Sequence, residues 1–141
     1  MALLGKILAP TDFSDLSIKG VRYACRLAKE VGAELIVINV VLVDKSGVDK
    51  SEIEEHKRQL DDFFSMKLAD VGSDLTIRKI VETGEPSAAI ADRAENEGFD
   101  LIVISTHGRS GPARFLIGSV TDKLVRRSPC PVLVVPLERE S

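Results

Sequence analysis

The run LIVINVVLV, residues 35–43, decides the fold class of this chain. It is apolar apart from Asn39, and such near-continuous runs are typical of parallel strands that are buried on both faces of a sheet. Further apolar runs that we interpret as strands occupy residues 7–9, 75–81, 101–104 and 131–135. The first half of the run at 75–81 alternates with polar residues, which favours a more exposed place in the sheet.

Helices are predicted between these runs. Residues 14–31 and 49–72 carry apolar residues at the 3.6-residue period, and shorter helices are expected at 88–94 and 119–127. Strands that alternate with helices form a parallel sheet covered on both faces. The sequence therefore predicts an α/β fold: a doubly wound, Rossmann-like, five-stranded parallel sheet of order 3-2-1-4-5, in a single domain over residues 1–141.

In this strand order the chain reverses direction across the sheet between strands 1 and 4, and a crevice opens there at their carboxyl ends. Two loops must line it: Pro10-Thr11-Asp12 after the first strand and residues 105–119 after the fourth. Helix N-termini in such a crevice present unpaired N–H groups and partial positive charge, which suit an anionic ligand. The sequence therefore predicts a binding site between these two loops.

The loop after the fourth strand has two interpretations. In one, Gly108 turns the chain and Gly118-Ser119 begins a helix, so that backbone amides hold a phosphate and Arg109 adds charge. In the other, Ser119 only caps the helix and the residues around Gly108 form a plain surface turn. The spacing alone leaves both interpretations open.

Asp12 and the two histidines are the remaining polar candidates. A carboxylate at the end of the first strand can accept hydrogen bonds from both ribose hydroxyls, and the alternative for Asp12 is a local Asx turn. His107 has no carboxylate partner in the sequence, so we expect it to order the turn or contact a phosphate rather than to catalyse. His56 belongs to a strongly charged helix and is expected to face solvent.

Composition and the absence of certain motifs narrow the classes of function that this chain can have. The net charge of −3 and the pI of about 5.4 argue against a nucleic-acid partner, and no apolar run approaches the roughly 18 residues of a membrane span. Cys25 and Cys130 are too few for a disulfide framework and predict free thiols in a reducing, cytoplasmic compartment. The sequence contains neither a P-loop nor a G-x-G-x-x-G motif. A binding module is therefore favoured over an enzyme, and slow ATP hydrolysis has only weak support.

Four segments carry a resemblance to the universal stress protein family: KILAPTDFSD (6–15), GEPSAAI (84–90), DLIVISTHGRSG (100–111) and GSVTDKLVRRSPCPVLVV (118–135). The resemblance spans essentially the whole chain. Nucleotide-binding members of the family have the motif Gly-x-x-Gly, nine residues, then Gly-Ser/Thr. The counterpart here is Ser105-x-x-Gly108, nine residues, then Gly118-Ser119, with a serine in place of the first glycine.

The resemblance implies a fold like that of the adenine nucleotide alpha hydrolases and an adenine nucleotide, ATP, ADP or AMP, with Mg²⁺ bound through its phosphates. Asp12 would hold the ribose, and the backbone of Val40 would read the edge of the adenine. Serine at position 105 restricts φ, so we expect a weakened or altered nucleotide preference, favouring AMP over ATP, rather than loss of binding. The residues implied as nucleotide-binding are Pro10, Thr11, Asp12, Val40, Ile104, Ser105, His107, Gly108, Arg109, Gly118, Ser119 and Val120.

We therefore expect a nucleotide-responsive regulator in the stress response, in which the ligand controls binding of a protein partner that the sequence does not identify. The alternative is a dimeric interaction or chaperone-like module that binds no nucleotide. In the predicted order the fifth strand, residues 131–135, is an edge without charges, and such edges pair with other chains. The family resemblance likewise implies a homodimer through this strand.

Overall fold

The computed structural model describes residues 3–43, 47, 49–72, 75–106 and 119–136. Within these ranges strands and helices alternate along the chain. The elements are β1 (Lys6–Pro10), α1 (Asp15–Val31), β2 (Glu34–Val41), α2 (Lys50–Lys67), α3 (Ala69–Gly72), β3 (Ile77–Thr83), α4 (Pro86–Glu97), β4 (Leu101–Ser105), α5 (Ser119–Arg127) and β5 (Val132–Val135).

The strands form one parallel sheet in the order β3-β2-β1-β4-β5. This confirms the predicted order and the predicted fold class. The central strand β1 pairs with β2 on one side and with β4 on the other, so the direction of winding reverses between β1 and β4. A doubly wound sheet opens its ligand crevice at this point.

Helices cover both faces of the sheet, and β2 shows why its sequence is so apolar. Leu35 and Val37 pack into a core shared with α1 and α2, whereas Ile36 and Ile38 pack into a second core shared with α4 and α5. All four side chains are completely buried. A strand between two helical layers has no solvated face, which is the physical reason for the continuous run.

The predicted helix over 49–72 is wrong in one respect, because it is divided at Leu68. This residue has φ −130° and ψ 13°, outside the helical region, and its side chain is completely buried. Leu68 lies between α2 and α3, and the interruption directs its side chain into the core. The periodic spacing of apolar residues is compatible with a continuous helix, so it cannot reveal an interruption at a single residue.

The second and third strands differ from the predictions by two residues at their ends. The second strand stops at Val41, because its neighbour β3 ends opposite it at Thr83. Leu42 and Val43 therefore leave the sheet and are exposed. β3 begins and ends two residues later than the predicted 75–81.

The two cysteines are both free thiols, Cys25 buried in α1 and Cys130 partly exposed before β5. Burial raises the pKa of the Cys25 thiol to about 11, which keeps it protonated and unreactive. In the part of the chain that the structure describes, no helix is long and apolar enough to cross a membrane.

Glu97, at the end of α4, connects three elements at the amino ends of the strands, which is the end of the sheet opposite the crevice. Its carboxylate accepts hydrogen bonds from Arg78 of β3 at 2.5 Å, Arg93 of α4 at 2.8 Å and Lys6 of β1 at 3.4 Å. Arg93 also pairs with Glu82 of β3. The bonds from Arg78 and then Arg93 lower the pKa of Glu97 from its ordinary 4.5 to about 2.

This cluster predicts a pH-dependent contribution to stability. Because the folded-state pKa is depressed, the contribution is present above about pH 4.5 and is lost as the pH falls towards about 2. We expect Glu97→Gln to lower the free energy of unfolding at neutral pH by about 1–2 kcal/mol, allowing for solvent screening. Urea unfolding as a function of pH should show this difference shrinking on acidification. Glu95→Gln, at an exposed position of the same helix, is the control. A difference that did not change with pH would contradict the assignment.

Candidate functional site

A crevice of about 130 Å³ opens at the carboxyl ends of β1 and β4, where the strand order reverses. Its described walls come from the β1–α1 loop, the first turn of α1, the ends of β2 and β4, and the helices α4 and α5. The lining residues are Pro10, Thr11, Asp12, Ser14, Leu16, Ser17, Ile38, Val40, Pro86, Ile90, Ile104, Ser105, Thr106, Val120 and Thr121.

Most of the described site residues that the sequence predicts lie together in this crevice. Ser119 is exposed as the first residue of α5, immediately before two residues that line it. His107, Gly108, Arg109 and Gly118 lie outside the described residues. The predicted residues that line the crevice are Pro10, Thr11, Asp12, Val40, Ile104, Ser105 and Val120.

The carboxylate of Asp12 forms the local turn that was the alternative to a ligand role. Its Oδ1 accepts hydrogen bonds from the backbone N–H of Ser14, at 3.0 Å, and from the Ser14 hydroxyl. The Ser14 hydroxyl in turn accepts from the N–H of Ser17 and caps α1. Both bonds to Asp12 use Oδ1, so the turn involves one carboxylate oxygen and leaves Oδ2 outside it. Asp12 itself is exposed at the crevice.

Phe13 gives the β1–α1 loop its unusual path. It is the one non-glycine residue with a positive φ, 69°, among those that the structure describes. Such a conformation persists only where the surroundings impose it. Here the Phe13 N–H donates to the hydroxyl of Thr11 at 3.0 Å, and its ring packs against the rings of His56 and Phe63, with centroids 6.0 Å apart in both cases.

The backbone of Val40 faces the crevice because β2 extends past the end of β1. The ladder between the two strands closes with a bond from Thr11 N–H to the Ile38 carbonyl, at 2.9 Å. On the other side, the Val41 carbonyl accepts from Gly84 N–H at 3.0 Å. Because backbone polar groups alternate between the two sides of a strand, Val40 points to the same side as Ile38. On that side β1 has already left the sheet, so the N–H and C=O of Val40 are directed at the gap.

A buried polar bridge lies behind the β1–α1 loop, and it corrects the prediction for His56. This histidine is partly buried rather than solvent-facing, and its Nδ1 lies 2.8 Å from Oδ1 of Asn39. The Nδ2 group of Asn39 donates to the Thr11 carbonyl at 2.9 Å. Sequence reasoning did not assign Asn39 to the site. The available signal was a single polar residue inside an otherwise apolar strand.

Ser105, in the position of the first motif glycine, does not need a glycine-only conformation. It continues β4, and its φ is not positive. Its hydroxyl accepts a hydrogen bond from the backbone N–H of Gly20 in α1, at 2.8 Å. A Cβ placed on Gly20 would lie 2.6 Å from this hydroxyl oxygen and 2.9 Å from the backbone nitrogen of Ser105. The side chain of Ser105 therefore fills the space at a glycine of α1 and belongs to the contact between strand and helix.

Two threonines that the sequence did not identify also line the crevice. The hydroxyl of Thr121, buried in the first turn of α5, donates to the Ser105 carbonyl at 3.1 Å. The backbone N–H of Thr106 donates to the Val135 carbonyl at 3.1 Å. These bonds connect the end of β4 to α5 on one side and to the edge strand β5 on the other.

The N-terminus of α4 is already occupied by a carboxylate. Glu85 accepts hydrogen bonds from the N–H groups of Ser87 and Ala88, and it pairs with Lys123 and Arg127 of α5. The bond from the Ala88 N–H and then that from the Ser87 hydroxyl lower the pKa of Glu85, so the group stays ionised. An anionic ligand would have to compete with Glu85 at α4, which favours the N-terminus of α5 as the anion-binding end of the crevice.

Comparison with known proteins gives a consistent result. The sequence pattern of the universal stress protein family matches residues 4–136. The chain is 34% identical to universal stress protein MJ0531 of Methanocaldococcus jannaschii, over 94% of this chain and 82% of that protein. It is 31% identical to universal stress protein YxiE of Bacillus subtilis, over 94% and 99%. A solved universal stress protein in complex with cAMP has the same fold, with a TM-score of 0.77 at 24% identity over 95% of this chain and 98% of that one.

The contact between Gly20 and Ser105 predicts non-additive substitutions. We expect Gly20→Ala to lower the free energy of unfolding by about 1–2 kcal/mol, because the clash with the Ser105 hydroxyl outweighs the gain in helix propensity. In Ser105→Ala the closest clashing atom is gone, but the backbone nitrogen of Ser105 stays 2.9 Å from the new Cβ. Gly20→Ala should therefore cost less in that background and still be destabilising. A double-mutant cycle by urea unfolding measures the coupling. Additive effects would show that the two residues do not compete for this space.

Proposed function

Because the chain belongs to the universal stress protein family, we propose that its crevice binds an adenine nucleotide and that the protein acts as a nucleotide-responsive regulatory module. The observation that carries the proposal is the backbone of Val40, whose N–H and C=O are directed into the crevice beyond the end of β1. Adenine carries an amino donor close to ring-nitrogen acceptors, so a backbone donor–acceptor pair can recognise it. Ile38, Ile90 and Ile104 also line the crevice and suit an apolar, planar base.

The other polar groups of the crevice fit the rest of the nucleotide. We assign the ribose to Asp12, whose Oδ2 lies outside the local turn. We assign the phosphates to the N-terminus of α5, where Val120 and Thr121 line the crevice and Ser119 is exposed beside them. Mg²⁺ would be bound through the phosphates. The sequence predicts that His107, Gly108, Arg109 and Gly118 also belong to this phosphate site.

Ser105 is compatible with this assignment. Its hydroxyl is engaged with Gly20 of α1, and its backbone has no positive φ. The serine therefore changes the contact between β4 and α1 rather than adding a strained residue to the crevice wall. We propose that nucleotide binding persists with serine at this position. The cAMP complex of a protein with this fold makes AMP a sensible first probe, and comparison with ATP tests the expected preference for AMP.

Calorimetric titration with AMP, ADP and ATP in the presence of magnesium tests the proposal. We expect Asp12→Asn to weaken binding by about tenfold, because a hydrogen bond to a charged group is lost while Oδ1 can still accept from Ser14. Asp15→Asn makes the same change of charge in the first turn of α1 and should leave the affinity unchanged. If none of the three nucleotides binds to the unsubstituted protein at millimolar concentration, the proposal is wrong.

We propose that regulation works through the edge of the sheet. The four residues of β5 are apolar and only partly buried, as an unpaired edge strand would be. The bond from Thr106 to Val135 connects this strand to the crevice. Occupancy of the crevice is thereby proposed to alter a homodimer formed through residues 131–135, and with it the binding of a further protein partner in a cytoplasmic stress response.

The dimer can be tested separately from the ligand. Leu133 packs towards the α1 face of the sheet and Val134 towards the α5 face, so a lysine at either position would place a charge beside the proposed seam. We expect Leu133→Lys and Val134→Lys each to give monomers in light scattering, with circular dichroism confirming that the variants are folded. Met66→Lys, at an exposed position of α2, is the control. If both β5 variants remain dimeric, another surface is responsible.

The alternative function, a dimeric interaction or chaperone-like module without nucleotide, is favoured by the same apolar, partly buried edge strand, which exists independently of any ligand. Native mass spectrometry of the purified protein separates the two functions. A co-purifying adenine nucleotide supports the regulator. A dimer that neither retains a nucleotide nor binds one when it is added supports the interaction module.

A further inference from the structure

Asn39 is an unusual residue for its place in the fold. It lies in β2, an otherwise apolar and mostly buried strand that ends at the crevice, and only 4% of its surface is exposed. A buried amide is costly unless its donors and acceptors are hydrogen-bonded. Both ends of this amide are bonded, one to the Thr11 carbonyl and the other to Nδ1 of His56. The bridge therefore connects α2, through the core, to the loop that carries Asp12.

The chemistry of the partners determines the direction of both hydrogen bonds. A backbone carbonyl can only accept, so the end of the Asn39 amide that faces Thr11 must be the NH₂ group. Its oxygen then faces His56, and Nδ1 of His56 must carry a proton in order to donate to it. Neutral His56 is thus assigned as the Nδ1–H tautomer, with Nε2 unprotonated.

The Asn39 side chain also replaces a bond of the sheet. If the ladder between β1 and β2 continued for one more step, the Thr11 carbonyl would accept from the backbone N–H of Val40. Asn39 supplies the donor instead. The backbone N–H of Val40 is thereby left to the crevice, and the Thr11 carbonyl is satisfied where the loop turns away from the sheet.

His56 supports the same loop a second time. Its ring packs against that of Phe13, the residue with the positive φ, with centroids 6.0 Å apart. One histidine therefore holds the loop through the Asn39 amide and through the ring of Phe13. Positions that hold a strained residue in place are expected next to binding sites.

We propose that Asn39 and His56 are positioning residues of the crevice: the Nδ1–H group of His56 orients the Asn39 amide, which holds the Thr11 carbonyl and frees the Val40 N–H for a ligand. The ligand in this proposal is the adenine nucleotide of the proposed function, on which it rests. Neither side chain needs to touch that ligand. Their effect on affinity comes from the loop that carries Asp12 and from the backbone of Val40.

The tautomer of His56 gives a test that needs neither a variant nor a ligand. A long-range ¹H–¹⁵N correlation spectrum of the unsubstituted protein, recorded at a pH where the imidazole is neutral, distinguishes a protonated from an unprotonated ring nitrogen. We expect Nδ1 to be protonated and Nε2 not to be. The opposite tautomer would mean that His56 does not donate to Asn39, and it would overturn the proposal even if AMP binds.

Affinity for AMP tests the consequence. Asn39→Leu, of similar size, removes both bonds and should weaken binding about tenfold, and His56→Phe, which keeps a ring against Phe13, about threefold. His56→Gln restores an N–H donor and should bind AMP more tightly than His56→Phe. Phe64→Leu perturbs the buried face of α2 without touching the bridge and serves as the control. Equal losses in His56→Phe and Phe64→Leu would overturn the positioning role.

Hydrogen exchange separates failure of this proposal from failure of the proposed function. If the unsubstituted protein binds no AMP, the nucleotide proposal is wrong. The positioning role of Asn39 and His56 can still be tested by the exchange rates of the Phe13 and Ser14 amides. We expect these amides to exchange faster in His56→Phe than in the unsubstituted protein or in Phe64→Leu. Unchanged exchange at both amides would overturn the proposal, and the same comparison applies if Asn39→Leu does not fold.

Discussion

The early end of β1 is the constraint on which the rest of the site depends. β1 pairs with β2 only as far as Pro10 opposite Ile38, while β2 continues to Val41 along β3. Three consequences follow from this difference in length. The chain turns away through Asp12, the backbone of Val40 loses its neighbour on one side, and a gap opens beside β4. A doubly wound sheet of this order always has a point where the winding reverses. Here the unequal lengths of β1 and β2 turn that point into a recess, with the backbone N–H and C=O of Val40 pointing into it.

Polar side chains at the strand ends complete hydrogen bonds that the sheet no longer supplies. Asn39 satisfies the carbonyl of Thr11, and Thr121 satisfies that of Ser105. Among the buried, described side chains no nitrogen or oxygen atom is left without a partner. Because an unsatisfied buried polar group costs about 1–3 kcal/mol, this satisfaction holds the walls of an otherwise apolar crevice in one arrangement.

The sequence was sufficient for the strand order and for placing the end of β1, the end of β4 and the start of α5 at one crevice, since both follow from alternation and from handedness. It was not sufficient where contacts with distant parts of the chain, rather than a residue's own helix or strand, determine how that residue is placed. Leu68 interrupts a helix because its side chain is buried in the core. His56 belongs to the strongly charged helix α2, but its ring is hydrogen-bonded to Asn39 of β2. Ser105 shows the same limit, because its effect depends on Gly20, 85 residues earlier in the chain. Such pairs become visible only once the sheet brings them together.

Chemical-shift mapping of the ¹⁵N-labelled protein with AMP tests the central claim, that the recess between β1 and β4 is a nucleotide site read by the backbone of β2. We expect the largest changes at the amides of Thr11, Val40, Thr106 and Val120, and we expect the Val40 proton to shift downfield as it gains an acceptor. No change at millimolar AMP, or changes confined to the opposite end of the sheet around Glu97, would contradict it.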